Sequence, residues 1–196
     1  MPPKARIQKE HILHAAFTLV RKEGLNSLHA RGVANELGCS TQPIFGYYKT
    51  MDDLKSELYQ FIKTYHNQYF NQVIVDDNIY INVGMTYINF ALEEPHLFRA
   101  LFMSDGFSNK KISDFITDDS NEHIASNLSE TVNIESIHSQ KLYTNMWLYA
   151  HGIASMVVTN HLQISKDEIK SMMTEVFEAL NNQHNGGNES ETTKEE

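Results

Sequence analysis

Apolar residues recur along this chain almost everywhere at helical spacing. Ile12, Ala16, Leu19 and Val20 fall at i, i+4, i+7 and i+8, one face of a helix that Gly24 ends as its C′ residue. Val33, Ala34 and Leu37 mark a shorter helix closed by Gly38. A third short helix starts near Ser40 or Thr41, where either hydroxyl can cap free amides and Pro43 fits the first turn. Its Ile44 is expected to face the core, and Phe45 is a candidate for the same side. Thr50-Met51-Asp52-Asp53 has the form of a capping box, with Thr50 as N-cap and Asp53 three residues on. Behind it Leu54, Leu58, Phe61, Ile62, Tyr65 and Tyr69 make a long apolar stripe at helical spacing. Val83, Tyr87, Phe90 and Ala91 predict another helix, which Pro95 stops.

From Ser104 to Asn133 the chain is polar, punctuated by Gly106 and paired acids, and reads as one or two short helices with loops. The segment from about Ile134 to Leu162 is apolar on more than one side. Leu142, Met146, Tyr149, Ile153 and Val157 form one stripe; Trp147, Ala150, Ala154 and Val158 form another. A helix apolar around most of its girth must be covered on both sides, by its own domain or by a partner. Ser165 to Glu168 is a second capping box, opening a helix with Ile169, Met173, Val176, Phe177 and Leu180 on it. After Leu180 the composition turns to Asn, Gly, Glu, Thr and Lys, and residues 182–196 are expected to be a disordered acidic tail. No strand run and no internal repeat is visible. The pattern predicts an all-α protein.

Composition sharpens this. With 196 residues, 41% of them hydrophobic, the chain can bury a sizeable core. A formal charge of −9 at first argues against nucleic acid, but the charge is uneven. Residues 1–55 carry eight basic side chains against five acidic ones, a balance of +3; residues 56–196 carry eight against 20, a balance of −12. Such asymmetry points to nucleic-acid contact by one part only. The single cysteine, Cys39, rules out a disulfide framework and a multi-cysteine metal site, fits a reducing cytosol, and is expected to pack in the turn beside Gly38. The longest apolar run, Trp147 to Val158, is interrupted by His151 and Gly152 and falls short of the roughly 20 residues of a membrane span. The first ten residues lack the apolar core of a signal peptide. A soluble, cytoplasmic protein with no membrane partner is expected.

Residues 29–48 have the layout of a helix-turn-helix, in which the first helix braces and the second lies in the DNA major groove. The second helix presents Thr41, Gln42, Gly46, Tyr47 and Lys49 outward. Gln can bond base edges bidentately, Thr, Tyr and Lys reach phosphates, and Gly46 leaves room for close backbone approach. On spacing alone a plain pair of short helices joined at a glycine fits equally well.

A longer pattern weighs on that choice. It runs from Ile12-x-x-Ala15-Ala16-x-x-Leu19 through Glu23-Gly24-Leu25 to Arg31-Gly32-Val33-Ala34-x-x-Leu37-Gly38-Cys39-Ser40. It continues as Ile44-Phe45-x-Tyr47-Tyr48 and ends in Asp52-Asp53-Leu54. Residues from about 7 to 58 thus resemble the N-terminal domain of the tetracycline-repressor (TetR) family of transcriptional regulators. The resemblance implies that Arg31, Ser40, Thr41, Gln42, Pro43, Gly46, Tyr47 and Lys49 approach or contact DNA. Two departures stand out. Leu28-His29 replaces the usual capping Ser or Thr of the bracing helix, leaving Ser27 or His29 to cap it; and Met51 stands where the family favours Lys, leaving Lys49 as the candidate substitute for that phosphate contact.

The resemblance further implies a helix-turn-helix domain over residues 1–51 and a larger helical effector-binding and dimerisation domain over 52–181, entered by a linking helix from about Asp52 to Gln72. It implies a homodimer through the last two long helices, about 134–162 and 165–180. Trp147-Leu148-Tyr149-Ala150-His151-Gly152 also resembles a Trp-x-x-x-His-Gly signature of one subgroup. Function is then expected to be that of a ligand-responsive repressor binding a palindromic operator, not an enzyme. The alternative is a helical small-molecule-binding or interaction module whose N-terminal domain is structural.

Trp147 and His151, one turn apart, are pocket candidates, as are Tyr65, Phe90 and Phe102. The plainer reading makes Trp147 and the other aromatics core residues and has His151 bond a neighbouring backbone. The ten histidines are scattered, with His11 and His14 beside Lys9 and Glu10, and predict no metal site. Asp76-Asp77 and Asp118-Asp119 read as solvated loop acids. No cofactor is implied. No nucleophile–base pair, phosphate-cradling glycine loop or carboxylate pair at useful spacing supports an enzyme.

Overall fold

A computed structural model describes residues 7–70, 78–104, 137–160 and 162–188. The polar segment read as short helices and loops, both acid pairs and the end of the tail lie outside them. Every regular element among the described residues is helical, as the spacing of apolar positions predicts. They divide into two units.

The first unit holds the described residues through His66 together with residues 94–104. Its α1, Lys9–Glu23, buries Ile12, Ala16, Leu19 and Val20 and stops at Gly24, whose φ of 82° favours glycine. His11 turns its Nδ1 back to the Gln8 amide (3.4 Å) and so belongs to the start of this helix. After a single 3-10 turn, Leu25–Ser27, α2 spans Ala30–Glu36 and α3 spans Gln42–Tyr47. The long α4, Met51–Phe70, opens on the expected capping box: the Thr50 amide donates to Asp53 Oδ2 (2.9 Å) and the Asp53 amide to Thr50 Oγ1 (3.2 Å). From it Leu54, Leu58 and Ile62 enter the core. The stripe also hides a residue the apolar pattern passes over, His66, buried on the same face. Pro95 acts twice. Lacking an amide hydrogen it ends one helix and opens the next, α6, Pro95–Phe102, which buries Leu97, Phe98, Ala100 and Leu101 and packs on α1.

The second unit is built on α5, Ile79–Glu93, α7, Ile137–Asn160, and α8, Lys166–Asn188. The α5 helix packs on both others, which is why its buried positions run around most of its girth. On α7 the two apolar stripes are covered in large part: Leu142, Met146, Ala150, Ile153, Ala154, Val157 and Val158 are buried. A third line on the same helix, Leu148, Gly152 and Met156, stays exposed. The second capping box forms as well, with the Ser165 amide donating to Glu168 Oε2 (3.0 Å) and the Glu168 amide to Ser165 Oγ (3.2 Å). The Ser165 amide and hydroxyl, both donating to Oε2, hold the Glu168 carboxyl below the usual carboxylate range. The α8 backbone stays helical to Asn188, beyond Leu180, where composition predicts that order is lost. Propagating an existing helix adds a hydrogen bond for each residue fixed, so a polar end can extend it without burying anything.

Candidate nucleic-acid interface and body cavity

The turn between α2 and α3 is set by backbone hydrogen bonds. The Cys39 amide reaches the Ala34 carbonyl (2.9 Å) and the Gly38 amide the Asn35 carbonyl (3.1 Å), a Schellman ending with Gly38 at φ 63°. Cys39 sits half-buried in this turn, its thiol on the Ser40 carbonyl (3.1 Å). At the other end of α2, His29 supplies the missing cap: its Nδ1 accepts from the Gly32 amide (3.0 Å). Ser27, the other candidate, bonds the Gly24 carbonyl instead (2.6 Å). At α3 the expected hydroxyl cap does not form. Thr41 is the N-cap, but its φ and ψ of −72° and −13° lie in the helical region, and no free amide meets its side chain. The start of α3 rests instead on Pro43 and on the Thr41 carbonyl, which accepts from the Ile44 amide (3.1 Å).

Ile44 and Tyr48, four residues apart, are the buried feet of α3. Burial, with Glu57 nearby, pushes the Tyr48 phenol up, and Lys9, paired with Glu57 at 2.6 Å, lies over its ring. Two buried positions at i and i+4 turn the residues between them outward. Phe45 is therefore 51% exposed rather than in the core, and Tyr47 is 44% exposed. Gln42, Gly46 and Lys49 are exposed with them, as are Arg31 and Ser40; Thr41 and Pro43 are half-buried. A Cβ at Gly46 would meet nothing within 4 Å among the described residues, so no contact among them requires that glycine. Phe45 is the residue the sequence reading missed, although the spacing of Ile44 and Tyr48 carries the signal.

Within the second unit a cavity lies between α5 and α7. It is lined by Tyr80, Val83, Gly84 and Tyr87 from α5, and by Tyr143, Met146, Trp147 and Ala150 from α7. Both sets fall at i, i+3, i+4 and i+7, so each helix gives it one face. Its interior has room for about one water molecule. At its edge the Tyr87 hydroxyl and His151 Nδ1 share a hydrogen bond (2.8 Å), and the His151 ring stacks on Trp147 at 5.2 Å. Burial lowers the His151 pKa and raises those of the Tyr87 and Tyr143 phenols, the last to about 12. The cluster is therefore uncharged near neutrality. At Gly84 a Cβ would fall 2.2 Å from the terminal methyl of Met173 on α8, so a larger residue there would make the Met173 side chain shift.

Of the five pocket candidates, Trp147 lines this cavity and His151 adjoins it through Tyr87. Phe90 is fully buried against Tyr69 (5.3 Å). Tyr65 and Phe102 belong to the first unit, Tyr65 donating to Glu94 (3.0 Å) and Phe102 lying edge-on to His66 (5.2 Å). Tyr80 and Tyr143 also line the cavity, and no spacing or motif in the sequence singles them out. Among the described residues, no group of His, Cys, Asp and Glu is placed to hold a metal ion, and no helix is long and apolar enough to cross a membrane.

Residues 81–180, just over half of the chain, match the family model described as the tetracycline repressor-like C-terminal domain. The protein belongs to the TetR family. Its match covers the α5–α7–α8 unit and so complements the N-terminal pattern that carries the resemblance. The fold agrees with a solved structure, a TetR transcriptional regulator from Rhodococcus sp. RHA1 (TM-score 0.54, 15% identity, 87% of this chain and 94% of that one). No curated protein matches the sequence. As a TetR-family protein it belongs among transcriptional regulators whose fold is all-helical.

Proposed function

We propose that the protein is a one-component transcriptional repressor that binds a palindromic operator as a homodimer and releases it when a small molecule enters the body. The observation that carries the reading is the stance of α3. With Ile44 and Tyr48 buried beneath it, Gln42, Phe45, Gly46 and Tyr47 face solvent on one short helix, flanked by Arg31, Ser40 and Lys49. Gln42 can read an adenine edge, Phe45 can lie on a thymine methyl, and the flanking groups suit phosphate. Thr41 and Pro43 set the approach.

The exposed line Leu148–Gly152–Met156 on α7 supports dimerisation there and on the adjoining α8. A glycine in a helix interior is unfavourable by about 1 kcal/mol relative to alanine. At Gly152 nothing among the described residues lies within 4 Å of a Cβ, whereas a second helix crossing closely between Leu148 and Met156 would account for the glycine. The aromatic cavity between α5 and α7 supports an effector site, closed in this form, with an uncharged lining that suits an apolar, aromatic-compatible compound. The setting proposed is the cytoplasm.

The test is operator binding. DNA from upstream of the protein's own gene should be retained specifically, and Gln42→Ala should abolish that retention with fold and dimer intact. Retention that survives the substitution overturns the assignment of α3, and no retention by the wild type favours a structural head. An effector found by thermal shift must alter DNA affinity by the factor by which DNA alters its own.

A further inference from the structure

We infer that α3 selects A·T base pairs, an adenine through Gln42 and a thymine methyl through Phe45, and carries no side chain that selects guanine. The inference rests on the DNA-binding reading above and deepens it by naming the bases. It follows from what the outer face of α3 holds. The helix reads Gln-Pro-Ile-Phe-Gly-Tyr, without a charged residue, whereas Arg and Lys are the usual readers of guanine. Ile44 is buried, Pro43 is half-buried with no polar group on its side chain, and Gly46 has no side chain to reach with. Tyr47 is exposed, but its hydroxyl is engaged within the domain: it donates to the main-chain carbonyl of Ile7 at 3.2 Å, across 40 positions of sequence. A phenol carries one proton, so Tyr47 held in this way braces α3 against the residues leading into α1 and offers a base no donor.

Gln42 and Phe45 remain, both exposed. At i and i+3 they share one face of the helix, with Cβ atoms about 5–6 Å apart. Base pairs rise by about 3.4 Å, so the two side chains meet pairs about one or two steps apart. The Gln amide matches the N6 donor and N7 acceptor of adenine, and an apolar ring matches the 5-methyl of thymine. Covering that methyl also removes apolar ring surface of Phe45 from water. Arg31 belongs to α2 and Lys49 lies beyond the end of α3, so neither adds a guanine reader to this face.

The experiment lets the full-length wild-type protein select its binding sequence from a pool of random duplexes, then remakes that sequence with single changes. The selected palindrome should carry, in each half-site, an adenine and a thymine about one or two steps apart. Deoxyuridine in place of that thymine removes only the methyl. It should weaken wild type by about fourfold per half-site, the worth of one buried methyl, and leave the affinity of Phe45→Ala unchanged. Gln42→Glu, which accepts but cannot donate, should move one selected position from A to C. Tyr47→Phe should select the same sequence as wild type. A selected palindrome in which no thymine methyl matters more to wild type than to Phe45→Ala overturns the thymine assignment while DNA reading stands. A sequence unmoved by Gln42→Glu overturns the adenine assignment, and one altered by Tyr47→Phe makes Tyr47 a reader after all. No selected sequence from the wild type overturns the functional reading and this inference with it.

Discussion

Glu94 receives the guanidinium of Arg21 with both carboxylate oxygens, the Nε bond measuring 2.8 Å. The carboxylate is buried while the Arg21 side chain is about half-exposed, and the Tyr65 hydroxyl completes the site at 3.0 Å. Three elements thus meet at one charge: α1 through Arg21, α4 through Tyr65 and the start of α6 through Glu94. The hydrogen bond to Glu94 raises the Arg21 pKa although burial opposes it. Replacing Arg21 by Met leaves a buried carboxylate with one neutral partner, and should destabilise the protein by about 1–3 kcal/mol. Glu94→Gln, which keeps an acceptor for Tyr65, should be milder. Urea unfolding reads both as a lower midpoint at unchanged m. Equal midpoints for Arg21→Met and wild type would show that the pair contributes nothing net.

His29 caps α2 with an imidazole nitrogen in place of an oxygen. His29→Ala should cost about 1 kcal/mol, and His29→Ser or His29→Asp should recover it, because a short oxygen-bearing side chain is the preferred N-cap. Thermal melting checks the order. If alanine proves as stable as serine, the cap does not matter.

Gly152 separates stability from assembly. Gly152→Leu meets open space among the described residues and replaces the poorest helix former bar proline, so the helix should persist. Sedimentation should nevertheless show a monomer, with helical circular dichroism retained. A dimer of unchanged affinity would place the interface elsewhere.

His151 sets a pH dependence. Burial holds its pKa below the ordinary value of about 6.5, so below that pH the unfolded chain binds more protons than the folded one. Stability should therefore fall as pH drops below about 6.5 towards the lower folded value, and be fully present above it. His151→Gln should flatten the loss between pH 7.5 and 5.5 measured by denaturation. Equal slopes would mean that another group governs that window.

What could be read in the sequence follows from how local its causes are. Helix starts and stops are short-range chemistry, so the boxes at Thr50–Asp53 and Ser165–Glu168 and the stops at Gly24, Gly38 and Pro95 could all be inferred from neighbours in the chain. Phe45 is apolar but out of phase with the core; Ile44 and Tyr48 hold the inner positions and leave it outside. The cavity was only partly legible. Trp147 could be picked by its motif, but Tyr80 and Tyr143 line the site through the pairing of α5 with α7, which no single helix encodes. Glu94 was invisible for the same reason, since its partners lie 73 and 29 positions away. The total charge of −9 conceals a basic head, which shows only in the distribution of charge along the chain.

The central claim is that this TetR-family protein reads DNA through α3 as a dimer. Footprinting the wild-type protein on the DNA upstream of its own gene tests it most directly. The account predicts two symmetric protected half-sites centred about one helical turn apart, or a multiple of it, with protection fading steeply as salt rises. Uniform, sequence-independent protection, or none at concentrations where the protein is folded, would contradict it.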